Sequence, residues 1–199
     1  MFIVILRHGE TPQNLSGVFQ GQSDPDLHEV GVARFLSAAR VLRKQAWDGV
    51  YSSHYRRAMS SADLLADATQ ALRFVCADLA ERNLGELDGQ AKSEQLQLDP
   101  QLPEKLMKLD YAPPGGESGQ AALQRFIRAI EAIAANNLTR TLVVSHGGVI
   151  ALFAHHVLGV PAASSFLEHG HGLMIRVSGK DLSLLGVNFQ PESIVADFS

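Results

Sequence analysis

Apolar residues recur along the chain in two alternating rhythms. Phe2, Ile3, Val4, Ile5 and Leu6 form a short unbroken run, the pattern of a strand covered on both faces. Residues 29–45 then carry Val32, Phe35, Leu36, Ala39 and Leu42 at helical spacing. A second short strand is predicted at 48–51, a helix at 57–69 with Ala58, Ala62, Leu65 and Ala66 inward, and a third strand at 73–77. The clearest helix spans 118–136, with Ser118 as its cap and Leu123, Ile127, Ile130 and Ile133 on one face. A fourth buried strand follows at 141–145 and a helix at 149–158. Strands at 173–177 and 182–187 flank a turn at Gly179-Lys180.

Strands alternating with helices predict an α/β fold, a three-layer α/β/α sandwich with a mostly parallel central sheet. The reading is a single domain over 1–199, without internal repeats. The one shift in composition is 90–116, which is polar and holds Pro100, Pro103, Pro113 and Pro114. It reads either as a small cap insertion over the sheet or as a long surface loop.

The 199 residues, 46% of them hydrophobic, suffice to bury a core without help. A net charge of −4 provides no general field for nucleic acid or anionic lipid, so positive charge for a bound anion must be local. No apolar run approaches a membrane span, and Arg7 ends the first run too early for a signal peptide, so a cytoplasmic protein with no membrane partner is expected. Cys76 is the only cysteine, which excludes an intramolecular disulfide, and its place in 73–77 reads as a buried, inert thiol. A strand edge near the C-terminus leaves a homodimer open.

Open α/β sheets bind ligands beyond the carboxyl ends of their strands. The four predicted strands are followed there by Arg7-His8-Gly9-Glu10, by Ser52-Ser53 with Arg56-Arg57, by Glu81-Arg82, and by His146-Gly147-Gly148. Two arginines, two histidines and a carboxylate therefore converge. Arg suits the oxygens of a phosphate dianion. A neutral imidazole can attack phosphorus, and a carboxyl group can protonate the leaving oxygen and then activate water. Gly9, without a side chain, is expected to let backbone amides approach the phosphate. Arg56 and Arg57 point about 100° apart on a helix, and spacing from the serine pair favours Arg57. Glu86 and Asp78 compete with Glu81, which spacing from the strand and from Gly85 favours.

Leu6-Arg7-His8-Gly9-Glu10-Thr11, with Asn14 and Gln20-Gly21 downstream, resembles the opening signature of the histidine phosphatase superfamily, its phosphoglycerate-mutase-like branch. Ser52-Ser53 with Arg57-Ala58 and Ala62, the segment from Glu81 to Gly89, and Val144-Ser145-His146-Gly147-Gly148 resemble its later motifs, in the family's order. The resemblance implies His8 as nucleophile and Glu81 as acid and base. It implies Arg7, Arg57, His146 and Asn14 as phosphate ligands, with His146 protonated near the dianion. Gln20 and Gly21 would line the substrate, and Glu117, in the loop before Ser118, would face it. No metal or cofactor is implied, and the partner is a small phosphorylated metabolite. Gln13, Val18, His54-Tyr55 and Leu87-Asp88 depart from common family residues, which bears on the substrate rather than the reaction.

His155, His156, His169 and His171 match no zinc spacing and read as solvated or capping. Hydrolysis of a phosphomonoester is the favoured activity. Mutase chemistry is the alternative, disfavoured because 89–115 offers only Lys92, Lys105 and Lys108 as cations. A silent binding protein would need a missing catalytic residue, and none is missing.

Overall fold

The computed structural model describes residues 1–191. Along them run β1 (Phe2–Arg7), α1 (Pro12–Leu15), α2 (Glu29–Leu42), β2 (Gly49–Ser52), α3 (Arg56–Thr69) and β3 (Leu72–Val75). Next come α4 (Lys92–Leu98), α5 (Leu102–Met107), α6 (Gly119–Ala134), β4 (Arg140–Ser145), α7 (Gly147–His156) and α8 (Ala162–Ser165). An antiparallel pair, β5 (Gly172–Ser178) and β6 (Asp181–Phe189), closes the series.

The six strands form one sheet in the order β3-β2-β4-β1-β5-β6. The first four are mutually parallel, and β5 runs antiparallel to β1. Side chains alternate across a strand, so the unbroken apolar run of β1 divides between two layers. Ile3 and Ile5 pack with Phe126, Ile130 and Phe153 of α6 and α7. Val4 and Leu6 pack with Phe35, Leu42, Ala62 and Leu65 of α2 and α3. The result is the expected three-layer sandwich.

The register of β1 on β4 pairs Phe2 with Arg140 and Arg7 with Ser145. Both strands therefore end at the same level, and the residues that follow them leave the sheet together. Ser118 caps α6 as expected, its Oγ accepting from the Ala121 amide at 3.2 Å.

Three local expectations change. The strand at 73–77 is one residue early and ends at Val75, as the sheet edge, with Leu72 68% and Val75 56% exposed. Among the described strands its one neighbour is β2, and residues on both of its faces are exposed. Cys76 lies just past it and is half-buried, not a core thiol. Leu36 points outward from α2, whose inward phase runs through Phe35, Ala38, Ala39 and Leu42. Residues 90–116 hold two short helices that bury Leu102 and Met107. Among the described residues, no helix is long and apolar enough to cross a membrane.

Candidate active site

His8 and His146 follow β1 and β4, and their ring centroids lie 5.1 Å apart. Both are buried. His8 Nδ1 is 2.7 Å from the Gly9 carbonyl oxygen. A carbonyl only accepts, so Nδ1 carries the proton and Nε2 keeps a lone pair. Burial first, then Arg57 and Arg7, hold this imidazole well below its ordinary pKa, so it is neutral at pH 7. The side chain has the form a nitrogen nucleophile needs.

Arg57 Nε donates to His146 Nδ1 at 3.2 Å. A guanidinium cannot accept, so the His146 proton sits on Nε2 and is donated to Ser53 Oγ at 2.6 Å. Burial, then Arg57 and His8, keep this ring well below its ordinary pKa. Burial and the cation that Arg57 places against it thus favour the neutral form of His146.

Arg57 is the inward member of its pair, 0% exposed, while Arg56 faces Asp26 on the surface at 3.4 Å. Its Nη1 and Nη2 donate to the carbonyls of Ser23 and Gly21 at 2.6 and 2.9 Å. Gly21 therefore enters the site as a carbonyl that braces Arg57. Asp88 holds that loop, accepting from the amides of Gly21, Gln22 and Ser23, each at 2.9 Å. From the sequence Asp88 was only a departure from a family pattern; its spacing from residue 21 carried no signal of this contact.

Glu81 spans the first turn of α7. Its Oε2 accepts from Gly148 N at 2.9 Å, and its Oε1 accepts from Val149 N at 3.0 Å and Arg82 N at 2.9 Å. A Cβ at position 148 would stand 2.8 Å from Oε1, so only glycine lets the carboxylate come this close. Its competitors are elsewhere: Asp78 faces Arg128 at 3.4 Å, and Glu86 is exposed. Gly9 has a different reason from the expected one. Its amide donates to Ser61 Oγ at 3.1 Å, and a Cβ there would lie 2.8 Å from the Gly31 carbonyl. The missing side chain admits the first turn of α2, not a ligand.

A cavity of about 170 Å³ opens above His8, walled by Arg7, Asn14, Gln20, Glu81, Arg82 and Lys92. Apolar side chains, among them Phe19, Leu84, Met107 and Phe166, complete its lining. Asn14 Oδ1 accepts from Thr11 N at 3.1 Å, and the single Thr11 hydroxyl sits between Asn14 Oδ1 at 3.0 Å and the Gln20 side-chain amide at 3.1 Å. Arg7 and Gln20 both line the cavity, and beside it the buried Arg7 Nε has no partner among the described residues. A guanidinium in a cavity wall suits an anion. Arg57 and His146 stand behind His8, outside this lining. Glu117 lies outside it too: Arg125 grips its carboxylate with two hydrogen bonds of 2.9 Å, and it borders a neighbouring cleft that shares Glu81.

Two wall residues went unnoticed as site residues. Lys92 is brought in by α4, where backbone pairing of 17–19 with 89–92 sets its Nζ 5.7 Å from the Phe19 ring centre. It has no hydrogen-bond or ion-pair partner among the described residues. Arg82 is tied down by the carbonyls of Glu117, Leu106 and Tyr111. Positive charge is local after all, in a chain of net charge −4.

Of the histidines set aside, His155 and His156 meet the carbonyls of Val160 and Met107 at 2.9 and 2.8 Å. His171 meets Asn188 Oδ1 at 3.1 Å. His169 does not belong with them. Its ring centroid is 5.3 Å from that of His8, and it touches Arg7. Among the described residues, no three or more His, Cys, Asp or Glu side chains are grouped to hold a metal ion.

Residues 3–177 match the histidine phosphatase superfamily, branch 1. A metal-independent phosphoserine phosphatase of Arabidopsis thaliana is 33% identical over 83% of this chain and 72% of its own. A 2,3-bisphosphoglycerate-dependent phosphoglycerate mutase of Bradyrhizobium diazoefficiens is 35% identical over 73% of this chain and 75% of its own. The structure of a mycobacterial glucosyl-3-phosphoglycerate phosphatase complexed with VO3 superposes with a TM-score of 0.83, at 27% identity over 96% of this chain and 99% of that one. With its strand-end histidines, its carboxylate on α7 and this match along most of its length, the chain belongs to the histidine phosphatase superfamily.

Proposed function

We propose that the protein hydrolyses a small phosphomonoester through a phosphohistidine at His8. One observation carries the reading: His8, with an unprotonated Nε2, lines the same cavity as the Arg7 guanidinium and the Glu81 carboxylate. Nε2 attacks phosphorus as the ester oxygen departs, and Glu81, protonated at this step, gives that oxygen its proton. Glu81 then takes a proton from water, whose oxygen displaces His8 from phosphorus, releasing phosphate and restoring the neutral ring. Arg7, Asn14 and Gln20 hold the phosphoryl oxygens. His146 joins them by exchanging Ser53 for a phosphoryl oxygen, and Arg57 by exchanging a carbonyl of the 21–23 loop. The resemblance to relatives named as phosphatases supports this reading, and the apolar part of the lining suits a compact alcohol.

A second reading, transfer of the phosphoryl group back to a substrate, is favoured by Lys92: an unpaired ammonium in the wall suits a second anionic group. The test is turnover of an aryl phosphate by wild type and His8→Ala, with and without EDTA, with trapping of acid-labile phosphoprotein. Turnover that survives EDTA and is lost in the variant supports hydrolysis. Trapped phosphoenzyme without phosphate release supports transfer. Neither turnover nor labelling, with natural phosphomonoesters included, sinks both.

A further inference from the structure

We propose that His169 is a positioning residue of the phosphate site, its neutral imidazole aiming the Arg7 guanidinium without cancelling its charge. The inference rests on the reading of Arg7 as a phosphate ligand. His169 Nδ1 lies 3.1 Å from the His8 carbonyl oxygen, which can only accept, so Nδ1 holds the proton. Nε2 is left as an acceptor, and it receives Arg7 Nη2 at 2.8 Å. Arg7 Nη1 donates to the Leu167 carbonyl at 2.7 Å. Two of the guanidinium's three nitrogens are therefore anchored by one loop, which fixes the plane that Arg7 presents to the cavity it lines.

The loop itself is clamped to the nucleophile's strand. Gly170 N donates to the Arg7 carbonyl and Arg7 N to the His171 carbonyl, each at 3.0 Å. The φ of +72° at Gly170 turns the chain between these bonds. His169 thus refers the position of Arg7 to the backbone of His8, so the anion site and the attacking nitrogen are held by one ring.

The choice of side chain has a chemical reason. A carboxylate would accept from Arg7 equally well, but its negative charge would offset the guanidinium and repel a phosphate dianion. Burial, then Arg7, lower the His169 pKa to about 4, so the imidazole accepts without charge at neutral pH. It is the one site histidine whose two nitrogens contact a proposed phosphate ligand and the nucleophile's own backbone.

The test compares His169→Ala, →Gln and →Asp in wild-type buffer at pH 7, reading Kd for inorganic phosphate by calorimetry, KM and kcat for an aryl phosphate, and Tm. Expected are a Kd and KM raised about tenfold in His169→Ala, partial rescue in His169→Gln, and a loss in His169→Asp greater than in His169→Ala. A role confined to folding would lower Tm in all three without that charge order. The inference is overturned if His169→Ala binds phosphate within twofold of wild type, or if His169→Asp binds it as well as His169→Gln. A folded wild type that neither binds phosphate nor turns over overturns the parent reading, and this inference with it.

Discussion

Arg57 and His146, both without solvent exposure, share a hydrogen bond of 3.2 Å from Nε to Nδ1. That bond sets the tautomer of His146, hence the proton on Nε2. Arg57 is also the strut under the 21–23 loop. Its removal strands three acceptors at once: the buried Gly21 carbonyl and His146 Nδ1, and the part-buried Ser23 carbonyl.

Arg57→Ala should therefore cost about 3 kcal/mol of stability or more, since each buried group left unsatisfied costs roughly 1–3 kcal/mol. Arg57→Lys, with one ammonium for three divergent acceptors, should recover less than half of this. Chemical denaturation of both variants checks the order, and equal stability of wild type and Arg57→Ala would refute the strut.

Glu81→Gln replaces an acceptor with an amide NH2 among three backbone N–H donors. It should lose roughly 10²–10⁴-fold in kcat on alkyl phosphates. On aryl phosphates with acidic leaving groups the loss should shrink, because departure no longer needs a proton. A uniform loss on both would place Glu81 outside acid catalysis.

Lys92→Ala should raise KM for phosphomonoesters carrying a second negative group by about tenfold, an ion-pair contribution near 1.4 kcal/mol. KM for a plain aryl phosphate should be unchanged within twofold. Equal effects on both substrates would mean that Lys92 reads the phosphoryl group itself.

Stability should depend on pH through the site histidines. His8 and His146 have pKa values held well below 6.5, by burial first and then by arginine charge, and His169 sits at about 4. Below pH 6.5 the unfolded chain takes up protons that the folded site refuses, so acidification favours unfolding. Tm should fall from pH 7 towards pH 4. The slope should be reduced in His146→Gln, which removes one of the refused protons.

The first strand and the place of His8 at its end were legible because they rest on local signals: an unbroken apolar run, then Arg7-His8-Gly9. The choice of Arg57 over Arg56 was legible too: helical phase allows only one of them inward, and spacing from Ser52-Ser53 picks Arg57. What escaped depends on distances in space. Sheet order puts β3 at the edge and exposes Leu72, which a strand pattern alone does not reveal. Asp88 reaches residues 21–23 across more than sixty positions of chain. His169 looked like a surface histidine because nothing near it in sequence mentions Arg7. Glu117 looked like a substrate contact because its loop was right, while its partner Arg125 lies two helical turns further on.

The pairing of β1 also has a consequence for synthesis. Its two neighbours in the sheet are β4 at residues 140–145 and β5 at residues 172–178. A ribosome making this chain releases β1 before either of these partners, which follow more than 130 residues later. Through that interval the mostly apolar segment Phe2–Arg7 has no native strand beside it. It is a stretch open to a chaperone, and Arg7 cannot reach its partners Leu167 and His169 until the chain has grown past them.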